Sequence, residues 1–180
     1  GAFRGRKLAQ LGKGDVGAHL RPTSDRVRES LFNVLESRHG ARMQGARVLD
    51  LFAGTGALGL EALSRGAEQV TFVENGRTAL GLLRENIQLC GVASQTRIIA
   101  RDARRPGLAP SPCDLIFLDP PYAKGLGEKT LAAALQGGWV GEGALVVWEE
   151  SAAITLPEGF MQVDERRYGD TVIRILEREA

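Results

Sequence analysis

Cysteine, histidine and aromatic side chains are all scarce in this chain of 180 residues. The two cysteines, Cys90 and Cys113, form no CxxC pair, and His19 and His39 stand alone. With no HExxH and no His/Cys cluster, no metal site is expected. One cysteine falls late in an expected helix and the other opens an expected strand. Two buried, reduced thiols suit a cytoplasmic enzyme better than a disulfide scaffold. Aromatic residues make up 6%, with no aromatic-rich basic motif, which argues against a stacking platform for single-stranded RNA. No apolar run reaches the roughly 20 residues of a membrane helix, and no secretory leader is expected. Internal repeats and low-complexity linkers are also missing.

What is present is ordinary for a globular domain: 43% hydrophobic and 25% charged residues, enough for one domain with a substantial core. Net charge is +1 but uneven. Residues 1–42 carry nine cations (Arg4, Arg6, Lys7, Lys13, Arg21, Arg26, Arg28, Arg38, Arg42) and four acids (Asp15, Asp25, Glu29, Glu36), a balance of +5. The remaining residues therefore sum to −4. A basic segment on a near-neutral body fits a phosphate-binding edge. Charge alone fits a solvated helix face and a loose arm as well. The chain opens Gly1-Ala2 without a methionine, as a truncated start would.

Residues 1–22 are rich in Gly, Arg and Lys without a clear period and are expected to form a basic arm, with a short hairpin around Lys7–Leu20. Residues 23–180 are expected to form the main domain. Pro22, Thr23, Ser24 and Asp25 supply helix-start chemistry, and Val27, Leu31, Val34 and Leu35 predict a helix of about three turns. From there strands and helices alternate. Strands are expected at Arg47–Phe52, Gln69–Glu74, Thr96–Ala100, Cys113–Leu118 and Ala144–Glu149. Helices are expected at Ala57–Arg65, Thr78–Leu89 and Lys129–Gln136. Such alternation implies βαβ units, an α/β fold with a mostly parallel sheet covered by helices on both faces. Phe160–Arg167 and Thr171–Leu176 flank Tyr168-Gly169-Asp170 and predict an antiparallel C-terminal hairpin.

Chemistry concentrates at strand ends. Val48-Leu49-Asp50-Leu51-Phe52-Ala53-Gly54-Thr55-Gly56-Ala57-Leu58-Gly59 reads as strand, tight turn and helix start. Gly54 and Gly56 let backbone approach a ligand, and the helix start offers unpaired N–H groups. The match to GxGxxG fits a dinucleotide as well as other nucleotide-like cofactors. Glu74 ends the next strand, 20 residues past Gly54, where a carboxylate accepts both ribose hydroxyls. NAD and S-adenosylmethionine both carry that ribose. Asp50 favours the second, because a carboxylate before the turn repels a pyrophosphate and suits an ammonium and a sulfonium. Asp102 follows the third strand and is placed to accept from an adenine amine, with the Ala103 N–H donating to the ring. Asp102 serves equally as a turn residue. The expected cofactor-binding set is Asp50, Phe52, Ala53, Gly54, Gly56, Glu74, Asn75, Asp102, Ala103 and Asp119.

Asp119-Pro120-Pro121-Tyr122 ends the apolar strand Asp114–Leu118. Two prolines remove two donors and hold the preceding residues extended, so the carbonyls can face a ligand. A purine amine is a poor nucleophile because its lone pair is delocalised into the ring. Acceptors on its N–H bonds, the Asp119 carboxylate and the Pro120 carbonyl, draw it toward tetrahedral geometry. Asp119 can also take the departing proton, directly or through water. Tyr122 stacks on a base flipped or unstacked into the site. These residues are the expected catalytic set. Without its context the tetrapeptide also fits a strand-ending turn with a packed tyrosine.

With these motifs the sequence resembles the Rossmann-like S-adenosylmethionine-dependent methyltransferases, and more closely the RsmD family, which methylates the N2 amine of a guanine in 16S ribosomal RNA. The match runs through Leu20–Asn33, Leu49–Arg65, Phe72-Val73-Glu74, Asp114–Tyr122 and Tyr168-Gly169-Asp170-Thr171. The tetrapeptide itself is shared with adenine and cytosine amino-methyltransferases. The resemblance implies a seven-stranded sheet, S-adenosylmethionine as cofactor, and 16S rRNA in the small subunit or an assembly intermediate as partner. It implies a monomer, with no membrane partner and no metal. By the same resemblance Arg21 and Thr23 lie near the active-site mouth, and the helix bearing Arg26 and Arg28 faces RNA. The departure is the N-terminus, where the family begins with a fuller hairpin rich in Arg and Gly. Three other readings stay open at this point. A DNA adenine-N6 methyltransferase usually carries an extra recognition domain, for which 180 residues leave little room. A nicotinamide oxidoreductase uses the same loop, but no Tyr-xxx-Lys or paired His/Asp constellation is visible. A non-catalytic RNA-binding factor keeps the fold and is indifferent to Asp119.

Overall fold

The computed structural model describes residues 2, 24–121 and 125–180. Arg21, Thr23 and Tyr122, and the hairpin expected in the basic arm, lie outside the described residues. Seven strands form one sheet: β1 (Arg47–Leu51), β2 (Gln69–Val73), β3 (Thr96–Ile99), β4 (Cys113–Leu118), β5 (Val140–Glu150), β6 (Phe160–Tyr168) and β7 (Thr171–Arg178). Their order is β3-β2-β1-β4-β5-β7-β6. The first five run parallel, β7 is antiparallel to β5, and β6 and β7 form the hairpin. This is the α/β architecture that the strand and helix alternation predicts.

Side chains on β1 alternate faces. Val48 joins one core with Phe72 and Phe117, while Leu49 and Leu51 join a second core with Ile116 and Trp148. Helices α1 (Asp25–Met43), α2 (Ala57–Ser64) and α3 (Arg77–Cys90) supply the first core through Phe32, Leu60 and Leu83. The second core is covered by α4 (Leu126–Gln136), through Leu131 and Ala134, and by Trp139. Phe32 meets Phe117 with ring centroids 5.6 Å apart, an aromatic pair that fastens α1 to the middle of the sheet.

Helix α1 is longer than its apolar stripe predicts. It covers 19 residues, with a break at His39, and Met43 buries its far end. Ser24 caps it by accepting from the Val27 N–H at 3.2 Å. Strand β5 also begins early, at Val140, with a register shift between Cys113 and Leu115 of β4. Both cysteines are free and buried, and burial pushes the Cys113 thiol up to about 12.

Gly59 fixes how closely α2 approaches the sheet. A Cβ there would lie 2.5 Å from Phe72 Cε1 and 2.8 Å from Val70 Cγ1, both buried. Gly59→Ala should therefore cost about 1–3 kcal/mol through overpacking, read as a lower denaturant midpoint at unchanged slope. An unchanged midpoint would mean the helix simply lifts from the sheet.

Candidate active site

The chain reverses its direction of travel across the sheet between β1 and β4, the position where open α/β sheets bind ligands at their carboxyl ends. Register brings the relevant ends together. Leu51 of β1 is level with Val73 of β2 on one side and with Leu118 of β4 on the other. The residues that follow, Phe52 to Gly56, Glu74 and Asp119 to Pro121, therefore emerge side by side. Asp119 and Pro120 are partly exposed and Pro121 is exposed.

The loop after β1 is held open rather than relaxed. Gly54 has φ 59° and Gly56 φ 83°, both left-handed. Phe52, at φ 57°, is the only non-glycine residue with positive φ among the described residues. A bulky side chain there stores on the order of 1–3 kcal/mol of strain. Three contacts fix the loop against that strain. The Ala53 N–H donates to Val73 O at 3.1 Å. Asn86 of α3 is fully buried and donates from Nδ2 to Thr55 O at 2.9 Å. Glu74 is the third.

The Glu74 carboxylate clasps both loops. Its Oε1 accepts from the Gly54 N–H at 2.9 Å. Its Oε2 accepts from Asn75 at 3.0 Å and from Gly76 at 2.7 Å. A carboxylate offers about four lone-pair sites, so three are engaged by backbone. A ribose diol needs two acceptors, and one backbone N–H must share or yield when such a ligand arrives. The side chain is only partly buried, so it remains within a ligand's reach.

Asp50 is placed differently from what its charge suggests. It is 2% exposed, and its Oδ2 accepts from the Gly59 N–H at 3.0 Å. Gly56 is the N-cap of α2 and has no side chain to offer. Asp50 reaches over from β1 and takes the third helical N–H, the bond an N-cap side chain usually makes. Burial pushes its carboxyl up to about 8, against the Gly59 bond that favours the charged form, with Glu74 adding repulsion. It is thus mostly protonated at neutral pH, a correction to the fixed carboxylate that the sequence implies.

An unfolded aspartate titrates near 3.9, so the folded state holds the extra proton between there and about 8. Stability must fall as pH rises through that window. Asp50→Asn removes the titration while its Oδ1 still accepts from Gly59. Thermal melts from pH 5 to 9 should show the variant gaining on the parent toward high pH, by several kcal/mol in order of magnitude. Parallel curves would contradict the buried proton.

Beside the Asp119 segment stands an acidic wall. Trp148 of β5 is level with Leu118, so Glu149 and Glu150 continue alongside Asp119 and Pro120. Burial pushes the Glu150 carboxyl up, and the Trp148 Nε1–H holds it at 2.8 Å. Glu128, in the first turn of α4, accepts from the Thr155 N–H at 3.3 Å, and its Oε1 is buried without a partner among the described residues. No motif points to these acids.

The family described as Conserved hypothetical protein 95 matches residues 1–177 of this chain. The chain belongs to that family. Ribosomal RNA small subunit methyltransferase D of Escherichia coli strain K12 is 37% identical over 185 residues, spanning 100% of this chain and 88% of that protein. The Haemophilus influenzae protein of the same name is 35% identical, across 97% of this chain and 90% of that protein. The solved structure of yhhF from Escherichia coli matches with a TM-score of 0.83 at 36% identity, over 100% of this chain and 96% of that chain. The resemblance drawn from the motifs and these similarities lead to the same proteins.

In this member of the Conserved hypothetical protein 95 family, several of the expected site residues already have partners within the chain. Asp102 lies beyond β3 with its carboxylate gripped by Arg104, whose guanidinium is 2.6 Å away and whose N–H donates at 2.9 Å. These bonds hold its carboxyl below the usual range. Ala103 beside it is buried. The arginines of α1 are also largely engaged. Arg28 pairs with Asp25 at 3.0 Å, Arg38 with Asp164 at 3.2 Å, and Arg42 with Glu177 at 2.6 Å and with Gly143 O. Of the four arginines on α1, Arg26, on an exposed groove with Glu29 and Asn33, is the one with no ion pair among the described residues.

Asn86 is the residue the motifs miss. Its signal is visible in the sequence: it is the one polar side chain in the stripe Ala79, Leu83, Asn86, Ile87 and Cys90, all buried. A buried amide needs a backbone partner, and the nearest glycine loop supplies it.

Proposed function

We propose that this chain transfers a methyl group from S-adenosylmethionine to the exocyclic N2 amine of a guanine in 16S ribosomal RNA, during maturation of the small subunit. The register that sets the glycine loop beside Asp119-Pro120-Pro121 carries this reading. Relatives named ribosomal RNA small subunit methyltransferase D, similar over nearly the whole chain, support the substrate.

The donors and acceptors suit this cofactor. The Glu74 carboxylate at the head of α3 fits a ribose diol. Asp50 beneath the loop, once it gives up its proton, favours a cationic ligand over a pyrophosphate. Asp102 and Ala103 would hold the adenine edge, with Asn75 and Phe52 walling the crevice. When bound, S-adenosylmethionine supplies an electrophilic methyl carried on a sulfonium.

The chain's own residues act on the acceptor. The Asp119 carboxylate and the Pro120 carbonyl take the two N–H bonds of the guanine amine. This localises the nitrogen lone pair and aims it toward the cofactor crevice. Proline at 120 and 121 keeps that carbonyl out of any helix. Asp119 then accepts the departing proton, directly or through water. Tyr122 would stack on the flipped base, with Arg21, Thr23 and Arg26 near the mouth.

Titration with S-adenosylmethionine beside NADH tests the cofactor. Heat from the first and silence from the second are expected; the reverse would turn the reading toward an oxidoreductase. Because a cationic ligand favours ionised Asp50, affinity for S-adenosylmethionine should rise between pH 6 and 8 as its buried proton, with a pKa of about 8, is released. A flat profile would separate Asp50 from the cofactor. Tritiated methyl should pass to small-subunit particles or precursors that lack the modification. Particles left unlabelled would refute the function.

A further inference from the structure

The described arginines of α1 being largely engaged, cationic surface must be sought elsewhere, and a second basic patch lies at the opposite end of the sheet. Residues 97–105 carry Arg97, Arg101, Arg104 and Arg105 against the single acid Asp102, a balance of +3. Residues 43–180 sum to −4, so everything else in that span sums to −7 (−4 less +3). Asp102 neutralises Arg104. Arg97, Arg101 and Arg105 are exposed, and among the described residues no ion pair engages them.

The fold explains why this patch is open. Among the described residues, strand β3 ends the sheet, with one edge unpaired. The return from β3 to β4 is made without a helix, by the irregular segment 100–112. A cleft of about 400 Å³ opens between the strand and this segment, lined by Arg97, Ala100, Arg101, Pro106 and Leu108 among others. Leu108 is 86% exposed. Gly107 has φ 82°, and a Cβ on it would lie 2.8 Å from Arg101 NH1, so that guanidinium is laid over the glycine rather than swinging free.

We propose that this β3 edge anchors the phosphate backbone of the substrate RNA, as a docking surface separate from the base pocket. Guanidinium groups bind phosphate with paired, charge-assisted hydrogen bonds. The exposed Leu108 beside them offers an apolar surface for an unstacked base. The edge lies three strand spacings from β4, roughly 14 Å at about 4.8 Å each. RNA reaching from this edge to Asp119 would pass over the cofactor crevice. The inference rests on the RNA methyltransferase reading. Charged side chains also keep edge strands from pairing with one another, and the experiment separates the two roles.

Arg97→Ser, Arg101→Ser and Arg105→Ser are combined, with the corresponding triple lysine variant as the charge-preserving control. Binding to a 16S rRNA fragment is followed across a KCl series, with S-adenosylmethionine affinity and melting temperature measured on the same samples. The serine variant should lose about 2–3 from the log–log salt slope, the share of three phosphate contacts. Its KM for RNA should rise about tenfold or more, with kcat at saturating RNA and cofactor affinity unchanged. The lysine variant should keep most of the slope. A serine variant with the parental slope overturns the proposal. So does one that self-associates while binding RNA normally, which assigns the arginines to edge protection. So does one that loses only whole particles and not naked RNA, which assigns the edge to a ribosomal protein. Failure of the parent itself to label RNA would instead refute the function on which the inference rests.

Discussion

Asp119→Ala should reduce methyl transfer by on the order of 10³-fold or more while leaving S-adenosylmethionine affinity within about threefold. The carboxylate is asked to do two things at once. It withdraws one N–H of the acceptor amine and it receives the proton, and losses of each kind run to roughly 10²–10⁴-fold in rate. Its position at the end of β4, level with the residue after Leu51 across the switch point, puts it beside the cofactor loop rather than beneath it. Pro120 and Pro121 keep the local backbone extended, so truncating the side chain should not collapse the segment. Single-turnover kinetics with saturating RNA and cofactor check the first expectation, and calorimetry the second. Retained turnover would remove Asp119 from the chemistry and return the motif to a strand-ending turn. It would also favour an RNA-binding protein that merely keeps the fold.

Glu74→Ala carries the second large effect, and its origin is double. The ligand loses acceptors for its ribose, worth roughly 1–3 kcal/mol for a charged hydrogen bond. The loops lose their clasp too, since Gly54, Asn75 and Gly76 all donate to this one side chain. Three backbone N–H groups are then left to water, and the strained turn at Phe52 loses a support. Affinity for S-adenosylmethionine should fall about tenfold to a hundredfold, together with a drop in melting temperature. Glu74→Gln keeps one carbonyl acceptor and should fall between the parent and the alanine variant on both measures. Parental affinity in Glu74→Ala would make the residue a structural clasp with no part in binding.

Much of this was legible before any coordinates. Alternation of apolar runs with amphipathic stretches identifies the sheet because buried parallel strands leave no polar face. The glycine loop, the strand-ending Glu74 and the double proline are legible for the same reason: each is a local sequence effect at a strand end. What escaped was long-range. Nothing near Arg38 or Arg42 in the chain announces Asp164 or Glu177, which meet them only when the C-terminal hairpin folds back beside α1. The charge count therefore directs attention to a helix whose cations are largely engaged. It passes over the β3 edge, because four arginines there are hidden in a span whose sum is negative. Asp50 shows the same limit for chemistry. Its place before the glycine turn is plain, but only packing reveals that it substitutes for a missing cap on α2 and holds a proton.

The central claim is the atom that receives the methyl group, and one measurement addresses it directly. Small subunits or precursors lacking the modification are incubated with the protein and S-adenosylmethionine, the RNA is digested, and the nucleosides are resolved by mass spectrometry. N2-methylguanosine, formed by the parent and missing with Asp119→Ala, is the predicted result. N6-methyladenosine, another methylated nucleoside, or no methylated product at all would contradict it.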